Sequence, residues 1–194
     1  NVAVSRHTAV VGKPDRPSPD INSKIVEINF NPYWTVPVSI VRKDLIPKMQ
    51  AEPDYLTRYG IRILDQKNNE LTPAQVNWFS DEAVNYKFKQ DPGEPNSLGT
   101  IRINFPSAHG VYMHDTPYKN LFGDDVRFDS SGCMRIQNVR DLVVWLLSET
   151  SGWSRIGARR HPAHALRAGH RRCRAKARRA HLRPRRRGER LRQR

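Results

Sequence analysis

The chain has 194 residues, 37% of them hydrophobic, and a formal charge of +15, a balance that taken whole points to a nucleic-acid binder. The charge is not spread: residues 155–194 carry 17 Lys+Arg against one acid, Glu189, whereas residues 1–154 carry 17 bases against 18 acids. The first 154 residues therefore have no electrostatic footprint for DNA or RNA and are long enough to close one core, and no apolar run approaches the roughly 20 residues that cross a bilayer.

The first readable element is the run Lys24 to Phe30, where Val26, Ile28 and Phe30 alternate with polar residues as in a half-buried strand. It stops at Asn31-Pro32. From Tyr33 to Pro47, Pro37 and Pro47 remove backbone donors and fix φ, so the spacing predicts a packed connection with short helical turns. Gly60 to Leu64 reads as a strand, Asp65 to Asn69 as a turn, and Tyr86, Phe88 and Gln90 as one face of another strand. Ile101, Ile103 and Phe105 alternate with Arg102 and Asn104, and a further strand runs from about Gly110 to His114, with Tyr112 and His114 on one face because they lie two residues apart. Residues 115–132 read as loop. Asn138 is a helix N-cap with Asp141 three residues on, and Leu142 to Leu147 give an amphipathic helix ending near Ser151-Gly152, which sets Cys133 shortly before a helix.

Two cysteines, Cys133 and Cys173, exclude a disulfide framework and a CxxC zinc site. Cys133 follows Gly132 and is flanked by Ser131 and Arg135, a small, polar, electropositive setting that favours a reactive thiolate. His114, 19 residues earlier at a strand end, is placed to serve as its general base. Each has a plainer reading: Cys133 as a small buried apolar residue, Tyr112 as packing, and Arg135 as a surface partner of Asp129 or Asp141. A metal site from His109, His114, Asp115 and Cys133 lacks any known ligand spacing.

The string Val111-Tyr112-Met113-His114-Asp115-Thr116-Pro117, the Leu121-Phe122 pair and Ser130-Ser131-Gly132-Cys133-Met134-Arg135-Ile136 resemble the active-site signature of the L,D-transpeptidases. Upstream, Asn31-Pro32-Tyr33-Trp34-Thr35-Val36-Pro37, the Arg42-Lys43-Asp44 triplet and Pro92 to Gly99 resemble the larger, periplasmic, peptidoglycan cross-linking branch of that family. Ser131 stands where the more usual signature has His. The resemblance covers about residues 8–153 and implies a mostly β, sandwich-like catalytic domain with short helices, over residues 1–154, and a short capping segment within about 38–86.

It also implies chemistry. Cys133 would attack the bond between the third, diamino acid and the fourth, D-Ala residue of a peptidoglycan tetrapeptide stem and form a thioester. His114 would take the thiol proton, its tautomer set by the main-chain carbonyl of a neighbour such as Asp115. The amides of Gly132 and Cys133, with Tyr112, would hold the oxyanion, while Arg135 would orient a stem carboxylate and Ser131 would line the substrate site. The amine of a second stem would then resolve the thioester into a 3-3 cross-link, with no cofactor or metal, and carbapenem-type β-lactams would acylate the same sulfur. A carboxypeptidase-type hydrolase shares every one of these residues.

Residues 155–194 contain no Phe, Tyr, Trp or Asp, and 16 Arg against one Lys. Such a stretch buries no core. It reads as a disordered tail or as out-of-frame translation of a GC-rich gene, and otherwise as an arm for polyanions in an inactive fragment, without the aromatics of a specific nucleic-acid site. Because the chain opens on Asn1 with no charged and apolar leader, the reading is of an internal or processed piece whose signal, if any, lies upstream; a bacterial periplasm or envelope is what the resemblance implies.

Overall fold

The structure is a computed structural model that describes residues 5–148, 172–173 and 179–182. It is mostly β. One seven-stranded sheet has the order β10-β1-β11-β9-β8-β3-β12, built from β1 (Ala9–Gly12), β3 (Glu27–Phe30), β8 (Ile101–Asn104), β9 (Met113–His114), β10 (Phe128–Ser130), β11 (Met134–Ile136) and β12 (Arg172–Cys173). A second, four-stranded sheet has the order β4-β7-β5-β6, from β4 (Trp34–Thr35), β5 (Ile61–Leu64), β6 (Glu70–Leu71) and β7 (Lys87–Gln90). β2 (Ile21–Lys24) pairs antiparallel with β13 (Arg179–Leu182).

Each of the two larger sheets has its own core. Ile28, Ile103, Met113, Met134 and Ile136 pack against Val139, Val143, Leu146 and Leu147 of helix α4 (Val139–Leu147), which lies on one face of the seven-stranded sheet. Residues 34–90, which contain the expected capping segment, form an inserted unit around Val41, Leu45, Met49, Leu56, Ile63, Trp78 and Phe88. The two ends of the insertion are neighbours, since Trp34 pairs with Gln90. The pairing of both ends lets a unit of this size fold beside the main sheet without disturbing its strand order.

Several expectations are corrected. The run Lys24 to Phe30 is not one strand: it breaks after Lys24, Ile25 turns into the core, Val26 is 41% exposed, and pairing resumes at Glu27. The irregular connection expected up to Pro47 is a helical run over 38–51, made of α1 (Val38–Ile40), a π-helical turn Val41–Leu45 and α2 (Ile46–Ala51), with the single turn α3 (Tyr55–Arg58) after it. Proline is tolerated there because a widened turn ahead of it relieves the clash of its ring with the carbonyl one turn back. The stripe Val41, Leu45, Ile46, Met49 is buried and supplies the driving force.

The strand expected from Gly110 is regular only at Met113–His114, and the loop 115–132 contains a 3₁₀ turn, Lys119–Gly123, and β10. β11 stands between Cys133 and α4. Asn138 does cap α4, but in the left-handed region (φ 51°) and without a side-chain bond, its carbonyl accepting from the Asp141 amide instead. The end expected for the helix near Ser151 and most of the Arg-rich stretch, with its expected disorder, lie outside the described residues; six residues of that stretch are described, all in strand pairing with β3 and β2.

Candidate active site

Register alone brings the candidate residues together. β11 runs parallel to β9 with Met134 opposite Met113 and Arg135 opposite His114, and β8 pairs antiparallel with Arg102 opposite His114. Met113, Met134 and Ile103 face the core. Because side chains alternate, His114, Arg135 and Arg102 occupy the opposite face; the Tyr112 ring lies there too, 5.7 Å from the His114 ring and under Arg102, and Cys133, just before β11, packs against the core cluster and against Tyr112.

His114 is 5% exposed, and its Nδ1 bonds the main-chain carbonyl of Asp115. That acceptor requires Nδ1–H, so Nε2 is the basic nitrogen of the neutral ring. Burial, aided by the charges of Arg135 and Arg102, lowers the imidazole to about 4. The Asp115 side chain is a structural anchor: it accepts from Thr100 N (3.1 Å) and Thr100 Oγ1 (2.9 Å), and it pairs with Lys119. Burial pushes this carboxyl up, but the bonds from Lys119 and Thr100 outweigh it and hold it below its ordinary range. Gly99, at φ +56°, makes room for it, since a Cβ there would lie 2.7 Å from the Asp115 carboxyl.

Cys133 is half-buried, with the Tyr112 main chain and phenol both against its sulfur. Burial pushes the thiol up, opposed by the Tyr112 amide, by Arg102, by the phenol and by Arg135. The expected favoured thiolate is thus corrected: at neutral pH Cys133 rests as a thiol and His114 as a neutral imidazole, because desolvation exceeds the positive field at the sulfur. Burial and the neighbouring sulfur also push the Tyr112 phenol well above its ordinary range, so it is a hydrogen-bond donor, and its oxygen meets the Trp34 indole. The Arg102 guanidinium sits 4.2 Å from the centroid of the Tyr112 ring and its Nε donates to Asn104 Oδ1 (2.7 Å).

The loop before Cys133 is held from within. Ser130 Oγ donates to the Cys133 carbonyl and accepts from the Gly132 amide (3.2 Å). The Gly132 amide, expected to face the oxyanion, is therefore already engaged by Ser130. Gly132 adopts φ +109°, a conformation L side chains rarely take. Ser131 is exposed and accepts from Arg16 (3.0 Å) rather than facing the sulfur. The Arg135 fork is engaged by Asp129 (2.9 Å to Oδ2), the plainer of its two readings.

Arg102, Trp34, Arg16, Ser18 and Ser130 were not singled out as site residues by sequence reasoning. Arg102 had a signal, the polar side of a strand next to the Tyr112–His114 strand, but alternation alone does not say what a polar face meets. Among the described residues no three His, Cys, Asp or Glu are grouped to hold a metal ion, and His109 is exposed in a turn.

Comparison with known proteins shows the family. The family model for the L,D-transpeptidase catalytic domain matches residues 1–157. A protein of Haemophilus influenzae named "Putative L,D-transpeptidase" is 38% identical over 146 residues, 75% of this chain and 29% of that protein. The chain thus spans under a third of the length of that relative.

Proposed function

The chain belongs to the L,D-transpeptidase catalytic-domain family, and from that premise we propose that it is a cysteine acyltransferase of peptidoglycan in a bacterial envelope. Cys133 attacks the carbonyl between the diamino acid and D-Ala of a tetrapeptide stem. As the C–S bond forms, the thiol proton passes to Nε2 of His114. The Cys133 amide and the Tyr112 phenol take the developing oxyanion, and collapse of the tetrahedral intermediate breaks the amide bond, the D-Ala amine leaving with the proton from His114. The same imidazole then deprotonates the side-chain amine of a second stem, which displaces the sulfur and makes the 3-3 cross-link. Arg135 contributes positive charge for a stem carboxylate on the same face.

The observation that carries this reading is the His114–Asp115 carbonyl bond. It leaves a basic nitrogen on the face that also holds the Tyr112 ring, whose phenol meets the thiol. A resting neutral pair suits a proton moved during attack rather than before it.

The test is intact-mass analysis after incubation with a carbapenem, using the parent chain and Cys133→Ala and Cys173→Ala variants. One adduct is expected on the parent and on Cys173→Ala and none on Cys133→Ala. A parent chain of correct mass that stays unmodified would overturn the reading. Donor stems then separate outcomes: a 3-3 dimer identifies the transferase, and a free tripeptide stem the hydrolase.

A further inference from the structure

The segment 13–18 touches all three residues that precede Cys133. The Lys13 amide donates to the Ser130 carbonyl (2.8 Å), Arg16 Nη1 to Ser131 Oγ (3.0 Å) and Ser18 Oγ to the Gly132 carbonyl (2.8 Å). The segment is itself tightly folded: the Arg16 amide donates to the Lys13 carbonyl (3.0 Å), the Gly12 amide to Ser18 Oγ (2.9 Å), and a Cβ on Gly12 would come within 2.2 Å of the Arg16 carbonyl oxygen. From this platform the Arg16 guanidinium also reaches Asp44 in the π-helical turn, with Nη1 at 2.6 Å and Nη2 at 3.2 Å from the two carboxylate oxygens.

We propose that Arg16 is a positioning residue of the reaction centre: it locks the loop carrying Cys133 and ties that loop to the inserted unit through Asp44. One nitrogen, Nη1, serves both Ser131 and Asp44, so a shift of the π-helical turn is felt two residues from the sulfur. The fork is occupied by the Asp44 carboxylate, while its Nε lies 3.4 Å from Asp15 without a hydrogen bond, so the charge of the group faces protein carboxylates. Arg42 and Lys43, which precede Asp44 in sequence, are exposed. Asp44, the third residue of that triplet, is the one the contact uses. A bidentate pair fixes direction as well as distance, which a lysine in place of Arg16 does not reproduce.

This inference rests on Cys133 being the nucleophile, and its test has one readout that does not. In the full chain, Arg16→Gln, Arg16→Lys, Asp44→Asn and the Arg16→Gln/Asp44→Asn double variant are compared by hydrogen exchange over residues 130–134 and by the rate of carbapenem acylation. Asp44→Asn, remote in sequence from Cys133, should speed exchange at 130–134 and slow acylation about tenfold; Arg16→Gln should do the same, and the double variant should be no worse than either. Arg16→Lys should restore less than half of the exchange protection. Unchanged exchange at 130–134 in both single variants, or single effects that multiply in the double, would overturn the proposal. If the parent is not acylated, the reading of the reaction fails, and the exchange measurement alone decides this one.

Discussion

Burial sets the proton inventory of His114. An imidazole lowered to about 4 in the folded chain, against about 6.5 unfolded, binds fewer protons folded than unfolded between those values. The stability linked to it is present in full above about pH 6.5 and is lost as pH falls toward 4, on the order of 3 kcal/mol. Urea melts of the parent and of His114→Gln at pH 7 and pH 4 should show the parent losing that much more than the variant; equal losses would place the folded imidazole near its ordinary value. Acylation should correspondingly hold its rate down to pH 5 and fall near pH 4, as Nε2 is protonated. At the same scale, Cys133, His114 and Tyr112 were legible as candidates because their spacing within one strand and one loop is local. The protonation state of the pair was not, since Ser131, Gly132 and Arg135 say nothing of how deeply a fold will bury the sulfur.

At the level of elements, Gly99 joins backbone conformation to catalysis. Both Gly99 (φ +56°) and Gly60 (φ +60°) lie in the left-handed region, but a Cβ on Gly60 meets nothing within 4 Å, while one on Gly99 would strike Asp115. Gly60→Ala should therefore cost only the backbone term, about 1–2 kcal/mol, and keep the acylation rate. Gly99→Ala should cost more and slow acylation, because moving Asp115 moves the carbonyl that orients His114. Thermal melts with acylation rates check this, and equal behaviour of the two variants would sever Asp115 from the orientation of His114. Strands with clean alternation, such as Ile101–Asn104, were legible. β10 was not, because Phe128 and Asp129 are exposed and the segment is a strand only through its pairing with β1. The helical run through Pro47 was hidden because a proline's usual effect is set aside by a π-helical turn that no local pattern announces.

Over the whole molecule, the described residues set one core under each of the two larger sheets. Leu56 and Leu147 are each 1% exposed, one in each core, and truncation of either to Ala should cost about 2–5 kcal/mol. The inserted unit is paired at both ends and bound to the loop before Cys133 through Arg16, so both variants should lower Tm within a single transition by calorimetry; two resolved transitions would mean that the units unfold separately. The sequence by itself determined the family and the mostly β class, and it named the candidate residues for thiol chemistry, because these rest on local spacing and on a contiguous signature. Only the tertiary structure decided which partners those residues meet: Arg102 on the Tyr112 ring, Ser130 on the Gly132 amide and Arg16 between Ser131 and Asp44. Those contacts join segments up to 115 residues apart in the chain, and their energies depend on burial and register, which exist only once the sheet has closed.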